Sequence, residues 1–132
     1  MLSVRKMHKV ERKNISLGPA LLYWLLTVGY MGLIFYLSSQ NNIPLPNLPR
    51  NFDKVIHMCA YIPLAYLFYL ALKKSGINNY VFVLAVILAS SYGITDELHQ
   101  VIVPGRDASV GDLMADALGA FLGSLAARIS MP

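Results

Sequence analysis

The stretch LGPALLYWLLTVGYMGLIFYL, residues 17–37, decides the fold class, because none of its 21 residues carries a formal charge. A helix of this length rises about 1.5 Å per residue and can cross the roughly 30 Å hydrocarbon core of a bilayer. The whole chain agrees: of 132 residues, 56% are hydrophobic and only 14% are charged, whereas soluble domains carry about 25% charged residues. The sequence therefore predicts an integral membrane protein.

Three further apolar runs follow the first. The second covers residues 55–72, and the fourth covers residues 110–129 behind Ser109, a residue type that commonly caps a helix N-terminus. The third run, residues 80–95, is too short to span, so its helix is expected to continue to about Val101. The predicted fold class is an all-α integral membrane protein with four transmembrane helices joined by short loops.

The basic residues predict the orientation of the four spans. If the N-terminus is cytoplasmic, eight basic residues lie inside and only Arg50, Lys54 and Arg106 lie outside. This asymmetry favours an N-in, C-in topology. Residues 1–16 then form a basic cytoplasmic N-terminus, and residues 17–132 form a single four-helix membrane domain. Six of the seven acids fall at the outer ends of the spans: Asp53, Asp96, Glu97, Asp107, Asp112 and Asp116.

The charge distribution and the cysteine content limit the kinds of partner and bound group that we expect. The net charge is +4, but five of the eleven basic residues precede the first apolar run, a placement typical of a topology signal. We therefore expect no nucleic-acid partner. The single cysteine, Cys59, provides neither a disulfide framework nor a metal-binding cysteine pair.

Polar residues in the second and fourth spans recur at helical spacing. Asp53, His57 and Tyr61 repeat every four residues and so share one face of their helix. Asp112 and Asp116 are spaced in the same way. Because these faces lie at the same predicted depth as the polar end of the third span, we expect one polar pocket at the outer membrane face.

In the third span, Asp96, His99 and Gln100 share one face of the helix. Glu97 stands about 100° away from them, and its side chain could point to a second helix or to the edge of the pocket. The sequence alone leaves these two orientations open.

Asp116 is the most informative acid. It lies about 6 Å deeper than Asp112, and an ionised aspartate at mid-bilayer is disfavoured by roughly 2.5 to 3.5 kcal/mol on insertion scales. It therefore needs a partner, which Lys54, Arg50, Arg106 or a histidine could supply, or else a hydrated cavity. Intramembrane ionisable groups usually mark functional sites, and an ion pair that only locks helices together is the alternative.

Gly119 and Gly123 continue the stripe of the fourth span deeper into the membrane. Small residues four apart let a neighbouring helix approach closely. That helix could belong to the same chain or to a second copy, so a homodimer is one of the two arrangements the pattern allows.

Three segments together resemble a known family. DKVIHMCAY (53–61), DELHQVIVPGR (96–106) and DLMADALGAFLG (112–123) resemble, in order and spacing, the signature blocks of the VanZ-like membrane protein family. The resemblance covers about residues 20–127. The departure is Asp116, where the family more often has asparagine, and the additional carboxylate favours a cation or a proton at this position.

The resemblance implies a multi-pass protein of the bacterial cytoplasmic membrane. The member that gives the family its name is associated with resistance to the glycopeptide antibiotic teicoplanin, but the resemblance implies no settled reaction. The family's motif can be matched to this sequence residue by residue. The matching positions are Asp53, Lys54, His57, Tyr61, Asp96, Glu97, His99, Gln100, Pro104, Gly105, Arg106, Asp112 and Gly119. The Pro-Gly pair is a turn signal that would return the arginine over the helix ends.

The first functional hypothesis is an enzyme that acts on an envelope lipid or a lipid-linked cell-wall precursor. His57 or His99 would provide acid–base catalysis, oriented by Asp96 or Glu97. Lysine and arginine would hold a phosphate or a carboxylate. The candidate substrate-binding residues are Asp53, Lys54, Tyr61, Gln100, Arg106, Asp112 and Asp116.

Two other hypotheses and a cofactor question remain open. The protein could instead bind and mask a lipid head group without catalysis. A proton-coupled carrier using Asp116 and the histidines is less favoured, because the polar residues are confined to one face. A divalent metal is a further candidate, since histidines and carboxylates converge, but no H-E-x-x-H spacing occurs and nearby basic residues disfavour a cation.

Overall fold

The computed structural model describes residues 17–40, 49 and 51–131. The predicted basic segment 1–16 lies outside these residues. Regular structure in the described part of the chain is entirely helical, with no strand: α1 (Leu17–Ser38), α2 (Phe52–Lys74), α3 (Val81–Val101) and α4 (Val110–Ser130). Each helix is long and apolar enough to cross a membrane. The prediction of an all-α protein with four spans is confirmed.

The helix ends show how charged residues are accommodated. Helix α2 extends beyond the apolar run 55–72 at both ends, and Asp53 and Lys54 lie in its first turn, in agreement with the helical spacing of Asp53 and His57. A carboxylate is favoured there by the helix dipole, and both side chains remain partly exposed. Helix α4 begins as predicted, because the Ser109 hydroxyl accepts hydrogen bonds from the N–H groups of Gly111 and Asp112.

Helices α2 and α4 are in close contact at two glycines. A Cβ atom on Gly119 would overlap the carbonyl oxygen of Met58, and one on Gly123 would overlap that of Ile62. The two backbones therefore touch, as small residues four apart permit. The close approach predicted from the sequence is confirmed as a contact within one chain.

The helices alternate in direction. Trp24, early in α1, donates a 2.9 Å hydrogen bond to Ser75, which directly follows α2. Gln100, at the end of α3, donates a 3.0 Å bond to Ser38, the last residue of α1. We call the end formed by the last turns of α1 and α3 and the first turns of α2 and α4 the polar end. The other is the opposite end.

The interior away from the polar end combines alanines with larger apolar side chains such as Leu64 and Phe68. Six alanines have no exposed surface: Ala65, Ala71, Ala85, Ala89, Ala120 and Ala127. Other large hydrophobic side chains are exposed along all four helices. Buried alanines and large apolar residues on the outside are typical of helices packed within lipid. This scaffold fixes the first turns of α2 and α4 against the last turns of α3.

Candidate functional site

A histidine and an aspartate from different helices pair inside the polar end. His57 of α2 places its Nδ1 atom 3.0 Å from Oδ1 of Asp116 on α4, whose side chain is only 1% exposed. Gly93 on α3 makes room for this carboxylate, because a Cβ there would lie 3.0 Å from Asp116 Oδ2. The partner that the sequence required for this acid is thus a histidine. Arg50, another candidate partner, lies outside the described residues.

Two more carboxylates face the same imidazole. Glu97 Oε1 lies 4.0 Å from His57 Nδ1, and Asp112 Oδ2 lies 4.0 Å from His57 Nε2. The other oxygen of Glu97 accepts a 3.0 Å hydrogen bond from the N–H of Ser109. Glu97 therefore points inward, which resolves the orientation that the sequence left open. We call His57, Glu97, Asp112 and Asp116 the acid–histidine cluster.

Lys54 lies at the rim of this cluster. Its Nζ atom is 3.7 Å from Asp112 Oδ1 and 3.6 Å from Asp53 Oδ2. The lysine side chain packs over Gly111, where a Cβ would lie 2.6 Å from the Lys54 Cε atom. The lysine charge therefore offsets that of Asp112.

Buried oxygen atoms without hydrogen-bond partners are concentrated at this end. Within the described part of the chain they include Glu97 Oε1, Asp116 Oδ2, Asp96 Oδ1 and the Tyr61 hydroxyl. Buried polar atoms are normally hydrogen-bonded, and leaving them unpaired costs stability. Such a concentration is typical of a ligand site rather than of a structural core.

A cavity of about 330 Å³ lies between α1, α2 and α3, next to the cluster. Its apolar wall consists of Ile34, Leu37, Ile56 and Ala60. Its polar lining consists of Ser38, Asp53, His57, Tyr61, Asp96, Gln100 and Arg106. One imidazole thus belongs to both the cavity and the acid–histidine cluster, so the two form one continuous site.

The floor of the cavity is a buried amide–carboxylate pair. The Gln100 side-chain NH₂ donates to Ser38 Oγ at 3.0 Å and to Asp96 Oδ2 at 3.5 Å. Both Gln100 and Asp96 are buried. These two predicted site residues therefore lie together, and Ser38 joins them from α1.

His99 lies apart from the cluster. Its Nε2 atom is 2.9 Å from the Ser39 hydroxyl, and its ring stacks on Phe35 with centroids 4.3 Å apart. The sequence grouped His99 with Asp96, but the imidazole lies against the end of α1 and does not line the cavity. Of the two histidines predicted to be catalytic, only His57 faces the buried carboxylates.

Arg106 returns over the helix ends as the Pro-Gly turn predicted. Gly105 adopts a left-handed backbone conformation with φ +79°. The Arg106 guanidinium donates to the carbonyl oxygens of Gln40 at 3.2 Å and Leu37 at 3.1 Å. Leu37 lies in the last turn of α1, where its carbonyl also accepts a 3.2 Å bond from the Gln40 N–H, and Gln40 lies two residues beyond the helix. Arg106 therefore secures α1 and also lines the cavity.

Two serines at the end of α1 contribute to the site without having been predicted. Ser38 is the last residue of the helix and bonds Gln100, and Ser39 follows it and bonds His99. Their position in the sequence could have identified them, because they end the first span on the same side of the membrane as the other polar residues. The bond from the Ser109 backbone to Glu97 has no signature in residue type, since any backbone N–H could make it.

Three side chains have the geometry to hold a metal ion. His57, Glu97 and Asp116 each offer one ligand atom, and these atoms lie within 4.8 Å of one another. They come from three different helices. No other such group of three occurs among the residues that the structure describes.

Comparison with known proteins identifies the family. The sequence matches the VanZ/LLP1 family over residues 8–131, which includes all four helices and the whole site. Comparisons with curated proteins and with solved structures gave no match. The resemblance drawn from the three polar segments is thereby confirmed, and the chain belongs to the VanZ/LLP1 family.

Proposed function

We propose that this protein binds the head group of an anionic envelope lipid or lipid-linked cell-wall precursor in the cavity at its polar end. The observation that supports this most is the composition of the cavity, which has an apolar wall beside a polar lining at one end of the membrane spans. An amphipathic ligand matches both surfaces, because its hydrocarbon chain contacts the wall while its head group contacts the polar side chains.

The proposed location is the outer leaflet of the bacterial cytoplasmic membrane. The distribution of lysine and arginine favours both termini in the cytoplasm. With that topology the polar end opens outward. Lipid-linked cell-wall precursors are used on that side of the membrane.

Two basic side chains would recognise the anionic group. Arg106 lines the cavity and uses two of its N–H groups on the carbonyls of α1, while a guanidinium has five donors. A phosphate bound in the cavity would gain charge-assisted hydrogen bonds from Arg106. Lys54, 37% exposed at the rim of the acid–histidine cluster and outside the cavity lining, would attract the anionic group by its charge.

A second candidate function is catalysis on the same bound lipid. It is favoured by the 3.0 Å contact between His57 and Asp116. A carboxylate bound to one imidazole nitrogen orients the ring for general acid–base chemistry at the other nitrogen. The imidazole also lines the cavity, so it is within reach of a head group held there. The two candidate functions, masking of the lipid and catalysis on it, involve the same ligand. They differ in whether a product forms.

Proton-coupled transport is less well supported. All six Asp and Glu residues within the described part of the chain lie at the polar end. The buried interior away from the polar end is mostly apolar, and its buried polar side chains, Thr27 and Ser124, carry hydroxyl groups and no acid or base. A carrier needs ionisable or polar positions at mid-membrane and toward both mouths.

Membership of the VanZ/LLP1 family extends the proposal to glycopeptide resistance. A lipid-linked precursor that is masked or altered at the outer leaflet would be less available to a drug that recognises it. This link depends on the ligand proposed above and is tested with it.

Lipid binding to purified protein tests the proposal. The probes are fluorescent phosphatidylglycerol and the matched phosphatidylcholine, titrated in detergent micelles. Ala60→Leu places a larger side chain in the cavity wall. Ala126→Leu adds the same atoms to an exposed position on α4 and is the matched control.

We expect wild type to prefer the anionic lipid, and Ala60→Leu to weaken its binding at least about tenfold, which corresponds to about 1.4 kcal/mol. The control should bind as wild type does. Equal binding of the two lipids, or an unaffected Ala60→Leu protein that is folded, would overturn the proposal. Mass spectrometry of the recovered lipid then distinguishes masking from catalysis, because only catalysis yields a product that His57→Gln no longer forms.

A further inference from the structure

We propose that His57, Glu97 and Asp116 bind one divalent transition-metal ion of the Mn²⁺ or Zn²⁺ class at the centre of the polar end. The three side chains come from α2, α3 and α4. The inference is independent of the lipid, since it concerns the acid–histidine cluster and not the cavity wall.

Charge balance is the first argument. Asp112 lies 3.7 Å from Lys54, which offsets its charge. Glu97 and Asp116 share only His57, which can offset one negative charge at most. The charges of two carboxylates, one neutral imidazole and one divalent cation add up to zero. A neutral set is the arrangement that burial favours, because an unbalanced charge inside a protein is costly.

Unpaired oxygen atoms are the second argument. Glu97 Oε1 and Asp116 Oδ2 are buried and have no hydrogen-bond partner in the described part of the chain. The side chains carrying them are 6% and 1% exposed. An ion would satisfy such atoms where no donor is in place. Glu97 Oε1 in particular points toward the ring nitrogen of His57 at 4.0 Å.

Geometry is the third argument. One candidate ligand atom from each side chain lies within 4.8 Å of the other two, and the imidazole and the Asp116 carboxylate are already in contact, with Nδ1 3.0 Å from Oδ1. Ligands about 2.0 to 2.2 Å from a tetrahedral ion are roughly 3.3 to 3.6 Å apart. Small side-chain rotations of Glu97 would complete the set. The Ser109 N–H, which binds the other Glu97 oxygen at 3.0 Å, would orient the carboxylate as an outer partner does.

The donor set selects the class of ion. One imidazole with two carboxylates suits zinc, manganese or iron better than calcium, which prefers a cage made only of oxygen atoms. Three protein ligands leave at least one coordination position for a further ligand. Because His57 also lines the cavity, that position would lie beside it.

Mn²⁺ titration of the full chain tests the site. Protein purified in detergent without added lipid is stripped with a chelator and titrated, with free Mn²⁺ followed by electron paramagnetic resonance. We expect one ion per chain, with affinity reduced at least about tenfold in Asp116→Asn and in Glu97→Gln, since even outer-sphere changes cost 10- to 100-fold. Asp107→Asn removes an exposed carboxylate at the same end and should bind as wild type does.

A nitrogen signature gives a second readout. Pulsed resonance of bound Mn²⁺ should show coupling to an imidazole nitrogen, lost in His57→Gln and kept in His99→Gln, whose histidine contacts Ser39 instead. Wild type without saturable binding, affinity equal in all variants, or an ion without nitrogen coupling would each overturn the proposal. If His57→Gln fails to fold, the wild-type protein still shows whether an imidazole nitrogen is bound to the ion, and His99→Gln shows whether that nitrogen belongs to His99. Because no lipid is added, failure here leaves the lipid proposal standing.

Discussion

Helices α2 and α4 contact each other in two different ways along their length. Deep in the bundle their backbones touch, because Gly119 and Gly123 lie against the carbonyls of Met58 and Ile62. In their first turns, an imidazole and two carboxylates occupy the space between them instead. We call the glycine contact the clamp. Its position directly below the acid–histidine cluster lets rigid backbone packing hold together side chains that are costly to bury.

The difference indicates where stability and function reside. The interior beyond the clamp is closely packed and uncharged, so changes there should affect folding. The polar end carries buried carboxylates and unpaired oxygen atoms, which lower stability and are typical of sites kept for function. Substitutions in the clamp and at the buried carboxylates should therefore change stability with opposite signs.

The largest effect is expected from breaking the clamp. Gly123→Ala would push α4 away from the Ile62 carbonyl, and we expect the free energy of unfolding to fall by about 3 kcal/mol. Unfolding in mixed micelles, followed by circular dichroism, measures this. Gly29→Ala on α1 is the matched control, because a Cβ there meets no atom within 4 Å. Equal effects at the two glycines would contradict the backbone contact.

The next effect has the opposite sign. Asp116→Asn removes one charge of an over-acidic buried cluster, and Glu97 remains 4.0 Å from the same imidazole nitrogen. In chelator we expect the free energy of unfolding to rise by about 1 to 2 kcal/mol, because an uncompensated buried charge is removed while the imidazole keeps Glu97 as a partner. Added Mn²⁺ should stabilise wild type but not the variant. Asp107→Asn, on the exposed surface, should change neither value, and a loss of stability in Asp116→Asn would show that the carboxylate is structural.

A smaller, local effect is expected at Arg106. Arg106→Gln would leave the carbonyls of Leu37 and Gln40 without their charged donor. We expect a loss of about 1 kcal/mol and faster hydrogen exchange confined to the last turn of α1. The control is Arg128→Gln at the opposite end, whose guanidinium lies 5.8 Å from the centre of the Phe82 ring. Unchanged exchange in residues 35–40 would mean that the loop does not secure α1.

The smallest effect is expected at the opposite end. Ser75→Ala removes the acceptor of the Trp24 indole N–H, at an expected cost of about 0.5 to 1 kcal/mol. Lipid and Mn²⁺ affinities should not change, because the site is at the other end of the bundle. Ser130→Ala, whose hydroxyl bonds the Ala126 carbonyl of its own helix, is the control. A weakened ligand affinity in Ser75→Ala would show that the two ends are coupled.

Much of the fold follows from the sequence because the membrane imposes simple rules. Long apolar runs predicted four helices, and Ser109 correctly predicted the start of α4. The apolar run 55–72 was shorter than α2 because hydropathy excludes Asp53 and Lys54, but the four-residue spacing of Asp53 and His57 correctly placed Asp53 on that helix. Gly119 and Gly123 predicted a close helix contact, but only the structure shows that α2 is the partner.

The site was harder to predict because it depends on how helices rotate against each other. Spacing along one helix grouped Asp96 with His99, yet helix rotation and packing direct His99 to α1 and turn Glu97 toward His57. Sequence periodicity does not contain that rotation. Likewise, the turn at Gly105 predicted that Arg106 returns, but the carbonyls it binds depend on where α1 ends.

A double-mutant cycle between His57 and Asp116 tests the central claim most directly, namely that separate helices assemble one buried polar site. The free energies of unfolding of His57→Gln, Asp116→Asn and the double variant are compared with wild type in chelator. Since the two side chains are 3.0 Å apart, we expect a coupling energy of at least about 1 kcal/mol. The control cycle of His57→Gln with Asp107→Asn should be additive within about 0.5 kcal/mol. Additivity in both cycles would contradict the assembled cluster.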